Sequence, residues 1–379
     1  MNSLNNKNIK FDFIKRTKTY TDFKKIKEIE GGRIILLYYN LFEIYDLKTN
    51  KKICTIEGNF EEEKNPRYYD YMFNDLIELK NKNIILWSCG IIFYYKKNDK
   101  NYNLIQTINE VKQQKNNIGM YQIGYVEEYD LYNIVELDNN IIVSCNSIGL
   151  KIYNYIENEY KLINVIPMFL DIKNLIQIEK NNFLIIHHKI HSSGGCCADD
   201  NHEFALSLYD LESNKINKIF HHKTGISFLG RSNYNFNFFL INDNFIYQIC
   251  NFPYDIDDIE RYKNKNLKFE SNFNIFNIKT KKNSLDLKTS FRLISYYKDN
   301  LIFAQDYQNL NICYFNNNNI FISIYKFNFN NSNLCILKNN DLISYGKKNH
   351  WEEIKKNGEV VSRYCGSADY YYDYYKCLA

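Results

Sequence analysis

One phrase returns seven times along this chain: an apolar run, a short turn and a second apolar run. The turns fall at Gly31-Gly32, Asn81-Lys82-Asn83, Asn139-Asn140, Asn181-Asn182, Asp243-Asn244, Asp299-Asn300 and Asn339-Asn340. Asn and Gly tolerate the positive φ that a tight hairpin turn needs, so each phrase predicts a β-hairpin. Leu175-Ile-Gln-Ile before Asn181 and Phe183-Leu-Ile-Ile after it are one example. After six of the hairpins comes a third strand-like segment: Glu43-Ile-Tyr-Asp-Leu, Ile92-Phe-Tyr-Tyr, Lys151-Ile-Tyr-Asn-Tyr, Ser207-Leu-Tyr-Asp-Leu, Asn274-Ile-Phe-Asn-Ile and Asn311-Ile-Cys-Tyr-Phe. These segments set the aromatic residues at 45, 94, 153, 209, 276 and 314 in correspondence. A polar turn then leads to a fourth apolar segment, such as Ile53-Cys-Thr-Ile, which makes four antiparallel strands per unit.

These residues resemble the WD-repeat and related β-propeller superfamily, in which the third strand of each blade ends in Trp-Asp. Tyr45-Asp46 and Tyr209-Asp210 are the closest matches, and Tyr153-Asn154 and Phe276-Asn277 are degenerate versions. The chain has no Trp-Asp pair, and no Gly-His pair opens its units. The resemblance implies an all-β fold, a single seven-bladed propeller of four-stranded antiparallel blades over residues 23–366. Residues 1–22 form an N-terminal segment able to add a closing outer strand to the last blade, and residues 367–379 a tyrosine-rich C-terminal tail. Kelch units would want paired glycines throughout, whereas this chain has 14 Gly, paired only at 31–32 and 194–195. A two-domain sandwich would not need seven equivalent units, and the 3 prolines mark no interdomain linker.

Composition agrees with strands. The 379 residues exceed the roughly 250 to 300 of a single ordinary core, which repetition accommodates. Counts of 57 Asn and 5 Ala beside abundant Ile, Tyr and Phe disfavour long helices. A net charge of +4 spread along the chain is too small for a nucleic-acid footprint. The 10 cysteines are scattered, several inside apolar runs such as Ile-Ile-Val-Ser-Cys145, which reads as buried reduced thiols. Nowhere do 18 apolar residues run together, and Met1-Asn-Ser-Leu-Asn-Asn-Lys has no signal core. A cytoplasmic protein is expected, with the nucleus left open.

With strands lettered a to d from the inside outward, antiparallel order places the a–b and c–d turns at one end and the b–c and d–a connections at the other. The long insertions, 58–71, 109–131, 187–205, 222–233 and 250–271, all belong to the second class. Long loops on a rigid frame are where binding surfaces usually lie. The candidates on that face are Arg67, Tyr68 and Tyr69, whose side-chain types dominate protein interfaces; His187, His191, Cys196, Cys197 and His202; Arg231; and Asp255 in an acidic run. Six of the 7 histidines lie between 187 and 222, and imidazole with thiolate is zinc chemistry. Adjacent Cys196 and Cys197 lack the spacing of closed zinc sites, so no metal and no cofactor are expected.

Catalytic signatures are absent: no Gly-x-Ser-x-Gly elbow, phosphate loop, dinucleotide fingerprint or His-Glu-x-x-His occurs. The adjacent-arginine signature of phosphoinositide-binding propellers is missing too, so membrane lipid is not an expected ligand. The reading is a non-catalytic scaffold that binds a protein partner through the long-loop face and is monomeric outside its complex. The alternative is a propeller enzyme acting at the channel mouth.

Overall fold

The structure, a computed structural model, describes residues 11–377 apart from connecting segments, the longest being 59–72, 111–130, 192–200, 226–233 and 252–270. Its first strand, β1 (Phe11–Thr19), belongs to the last sheet. The chain groups into two compact units. The unit Phe23–Leu229 holds four sheets, each in sequence order. Sheet 1 is β2 (Lys25–Ile29), β3 (Arg33–Leu37), β4 (Leu41–Asp46) and β5 (Lys52–Glu57). Sheet 2 is β6 (Asp75–Glu78), β7 (Ile84–Ser88), β8 (Ile91–Asn98) and β9 (Asn101–Asn109). Sheet 3 is β10 (Asn133–Glu136), β11 (Ile141–Asn146), β12 (Gly149–Ile156) and β13 (Glu159–Pro167). Sheet 4 is β14 (Ile172–Glu179), β15 (Asn182–His191), β16 (Asn201–Asp210) and β17 (Lys215–Gly225).

The other unit, Gly230–Ala379 with Met1–Asp22, holds three more sheets. Sheet 5 is β18 (Tyr234–Ile241), β19 (Asn244–Asn251), β20 (Ser271–Asn277) and β21 (Lys282–Thr289). Sheet 6 is β22 (Arg292–Lys298), β23 (Leu301–Gln305), β24 (Asn309–Phe315) and β25 (Phe321–Asn328). Sheet 7 runs β26 (Asn333–Ile336), β27 (Leu342–Lys356), β28 (Glu359–Cys377) and then β1. All neighbouring strands are antiparallel, so the described residues form an all-β fold of four-stranded sheets, the construction of a β-propeller. The tyrosine run 370–375 is not an appended tail. It is the part of β28 held between β27 and β1, where aromatic side chains suit a pleated strand.

The turns take the conformations their residues allow. Positive φ occurs at Gly31 (81°), Gly32 (67°), Asn139 (62°) and Asn140 (60°) in a–b turns, and at Glu157 (56°) and Asn158 (69°) in a c–d hairpin. Register corrects one detail of the sequence alignment. In five sheets the third strand bulges against the fourth just before one residue: Tyr45, Tyr95, Tyr153, Phe276 and Cys313. Those residues pair with Ile34, Ile84, Ile142, Phe245 and Ile302. Tyr95 and Cys313, not Tyr94 and Tyr314, are therefore the equivalents of Tyr45. Where Tyr94-Tyr95 and Cys313-Tyr314 stand side by side, alternation puts the neighbours on opposite faces and cannot choose between them; the pairing chooses.

Within the unit Phe23–Leu229, successive sheets bury both faces of their middle strands. Ile35, Leu37, Phe42 and Ile44 of sheet 1 pack with Ile84, Leu86, Phe93 and Tyr95 of sheet 2. The other face of sheet 2, Ile85, Trp87, Ile92 and Tyr94, meets Ile142, Tyr153 and Tyr160 of sheet 3. Val143, Cys145, Leu150 and Ile152 then meet Phe183, Ile185 and Tyr209 of sheet 4. Two-sided burial explains why β7 reads Ile-Ile-Leu-Trp-Ser without polar alternation and is buried throughout. Each fully buried large apolar side chain contributes about 1.5–3 kcal/mol.

Polar side chains tie the rims of these sheets. On the inner strands Lys25 binds Asp75, and Asn133 donates to Asn174. One turn further along, the Glu30 N–H donates to the Glu78 carboxylate (2.9 Å), and the Lys80 N–H repeats the contact on Glu136 (2.7 Å). On the outer strands Gln106 bonds both backbone groups of Tyr160, donating to its carbonyl (2.9 Å) and accepting from its N–H (2.8 Å).

Candidate functional site

Antiparallel order sends the b–c and d–a connections of each sheet from the same end. The described residues there show how the insertions are seated. Connection 59–72 begins after Gly58, whose N–H donates to the Asn40 carbonyl (2.8 Å), and ends at Phe73, whose N–H donates to the Tyr39 carbonyl (2.9 Å). Both ends are thus fastened to one turn, the b–c turn of sheet 1. Tyr39 itself is 41% exposed beside that base. Arg67, Tyr68 and Tyr69 belong to this connection and lie outside the described residues.

Connection 111–130 is seated more deeply. It begins after Glu110, which is 2% exposed and whose N–H donates to the Gly90 carbonyl (2.8 Å) in the b–c turn of sheet 2. The Glu110 side chain enters sheet 3. Ser144 Oγ donates to Oε1, Tyr153 donates to the same oxygen (2.9 Å), and Asn146 Nδ2 donates to Oε2 (3.3 Å). Lys151 Nζ lies 3.3 Å from Oε2 and donates to the Glu110 carbonyl (3.1 Å). Lys151, Ser144 and Asn146 are all buried. Burial, followed by the adjacent Glu110 carboxylate, pushes the Tyr153 phenol well above its ordinary value and keeps it a donor. Burial likewise pushes the Cys145 thiol up, which disfavours its thiolate.

This network was not foreseen from the sequence. Half of the signal was present: Lys151 is two residues from Tyr153 on β12 and so shares its buried face. A buried lysine needs a partner. Its partner stands 41 residues earlier, at the base of an insertion, and only the fold brings them together.

His187 is corrected as a surface candidate. It lies within β15, 2% exposed, with Nε2 3.2 Å from Ser207 Oγ on β16. Pairing runs on through His191 opposite Asn201 and Ile190 opposite His202, so the strands shorten the b–c connection of sheet 4 to residues 192–200. His191 and His202 thereby sit at that connection's base. Cys196 and Cys197 within it lie outside the described residues, as do Arg231 and Asp255. His221 of β17, paired across from Ala205, meets the Glu203 carboxylate of β16.

Two further carboxylates among the described residues, Glu43 and Asp75, are occupied by donors. Glu43 receives hydrogen bonds from Tyr38 (2.9 Å), Tyr45 (2.8 Å), Lys52 (3.0 Å) and Thr55 (3.3 Å). Burial opposes its ionisation, but the bonds from Lys52, Tyr45 and Tyr38 outweigh it and hold the carboxyl below its usual range. For Asp75 burial is likewise overcome, here by the charges of Lys27 and Lys25. Among the described residues no three His, Cys, Asp or Glu side chains converge as a metal site would require.

No protein-family model and no curated protein matches the chain. A solved chain of the mitotic checkpoint complex does match in structure, with a TM-score of 0.53 over 88% of this chain and 89% of that one, at 7% sequence identity. At that identity the likeness is one of fold. It agrees with the repeated four-stranded antiparallel sheets as a propeller construction.

Proposed function

We propose that this protein is a non-catalytic scaffold that binds a protein partner through the end of its sheets carrying the b–c and d–a connections. The observation that carries the reading is the anchoring of connections 59–72 and 111–130: hydrogen bonds hold both ends of the first to one turn, and a buried ionic network holds the start of the second. Loops with fixed bases on a rigid frame present side chains at little ordering cost. The contact residues are Arg67, Tyr68, Tyr69, His191, Cys196, Cys197, His202, Arg231 and Asp255, with exposed Tyr39 beside them. The structural neighbour comes from a protein complex, the class of role proposed here.

The test replaces 59–72 and 111–130, separately and together, with short Gly-Asn linkers. The double replacement is expected to keep the far-ultraviolet spectrum and melting temperature while losing the stoichiometric partner recovered by the intact protein from its native lysate. Retention of the same partner by the double replacement would refute the reading.

A further inference from the structure

Strands β27 and β28 run on past their neighbours. β26 pairs only with Leu342–Tyr345 of β27, and β1 only with Tyr370–Cys377 of β28. β27 and β28 stay paired with each other as far as Lys356 opposite Glu359. From Lys348 opposite Asp369 outward they form a two-stranded ribbon, about 30 Å long at roughly 3.3 Å per residue. Among the described residues no other strand lies along either edge of it. An open edge is a template for a further strand, and ordinarily charged residues blunt it.

The charges on the β27 edge have a particular order. Glu352-Glu353-Ile354-Lys355-Lys356, laid antiparallel on a second copy of itself about Ile354, sets Glu352 opposite Lys356, Glu353 opposite Lys355, and Ile354 opposite Ile354. Opposite charges directly across a ladder stabilise it and like charges destabilise it. The same five residues in parallel register would set Glu beside Glu and Lys beside Lys. The pattern therefore favours pairing with its own reverse over pairing in parallel. The β28 edge is a poorer candidate: centred on Val361 it matches only Glu359 with Arg363, and Gly366 weakens the strand beyond.

We propose that the open edge of β27 docks a second copy of this chain, by antiparallel pairing of residues 352–356 about a two-fold axis at Ile354. The proposal does not depend on the scaffold reading, and it replaces the monomeric state expected from the sequence. An isologous contact of this kind closes on itself and ends at a dimer.

Sedimentation of the full chain over its accessible concentration range tests it, with melting temperature as the check on folding. The wild type is expected to pass from monomer to dimer. Lys355→Glu with Lys356→Glu, and separately Glu352→Lys with Glu353→Lys, should each weaken the dimer by about tenfold or more, since every opposed pair becomes like-charged. An equimolar mixture of the two variants should recover the wild-type affinity. The substitutions also disturb pairs inside the ribbon, Glu352 with Arg363 and Lys356 with Glu359, but that disturbance is the same in mixed and unmixed samples. Recovery on mixing therefore reads the contact between copies alone. Ile354→Cys should give a disulfide-linked dimer on mild oxidation, because directly opposed residues of an antiparallel pair fall within disulfide range. A wild type that stays monomeric throughout, or variants that fail to recover on mixing, would overturn the proposal.

Discussion

The interface between sheets 1 and 2 and the interface between sheets 2 and 3 use the same register positions in opposite ways. On the face of sheet 2 toward sheet 1, the residues opposite each other on β7 and β8 are Leu86 and Phe93, buried in an apolar cluster. On the corresponding face of sheet 3, β11 and β12 carry Ser144 and Lys151, buried around Glu110. The first interface keeps its charges at the inner rim, where Lys25 and Lys27 hold Asp75 and the Lys25 side chain is 37% exposed. The second buries an ion pair whose side chains are 5% and 2% exposed. A blade position therefore need not be apolar to be part of the core. It must be satisfied, and here the satisfying group is supplied by the base of an insertion.

The largest expected effect follows from breaking that satisfaction. Glu110→Ala leaves the buried Lys151 without its carboxylate partner, and should cost about 3–5 kcal/mol in denaturant unfolding. Leu86→Ala, in the apolar interface, should cost about 2–4 kcal/mol through lost contacts and a cavity, with no dependence on salt.

Replacing the ion pair together with its two hydroxyl donors gives a milder outcome. Glu110→Leu, Ser144→Ala, Lys151→Met and Tyr153→Phe together should cost only about 1 kcal/mol, because apolar groups of similar volume stand in for a buried ion pair at little net loss. A cost equal to that of Glu110→Ala would show that the ion pair itself is stabilising. Of similar size is the loss of the outer clamp: Gln106→Ala removes two hydrogen bonds to Tyr160 and should cost about 1 kcal/mol.

The rim pair predicts the acid behaviour of the first interface. The Asp75 carboxyl sits below its ordinary 3.8 in the folded protein, so the unfolded chain takes up the proton more readily. Its contribution is full above 3.8 and is lost as pH falls through the lower folded value. Asp75→Asn should flatten the melting temperature against pH below about pH 4 and leave the neutral region with a small constant offset.

Strand identity and the four-strand phrase were legible in the sequence, because hairpin turns need positive φ and Asn and Gly supply it once in each unit. The equivalence of Tyr45, Tyr153 and Tyr209 was legible too. That of Tyr95 and Cys313 was not, since a period of two cannot rank adjacent candidates. The histidine segment read as a loop because strand signal is weak in His-His-Lys-Ile-His; pairing with 201–205 draws it into β15 and buries His187 against Ser207.

The local and periodic features can be read from the chain: where turns fall, which residues alternate, and which end of each sheet carries the insertions. The non-local ones come from packing. Glu110 finds Lys151, and Gly58 and Phe73 find one turn, while β28 takes the tyrosine run into a sheet with the distant β1. The reason is physical: hairpin geometry is fixed by a few neighbouring φ and ψ angles, whereas a buried charge is satisfied by whichever group the packed sheets bring within reach.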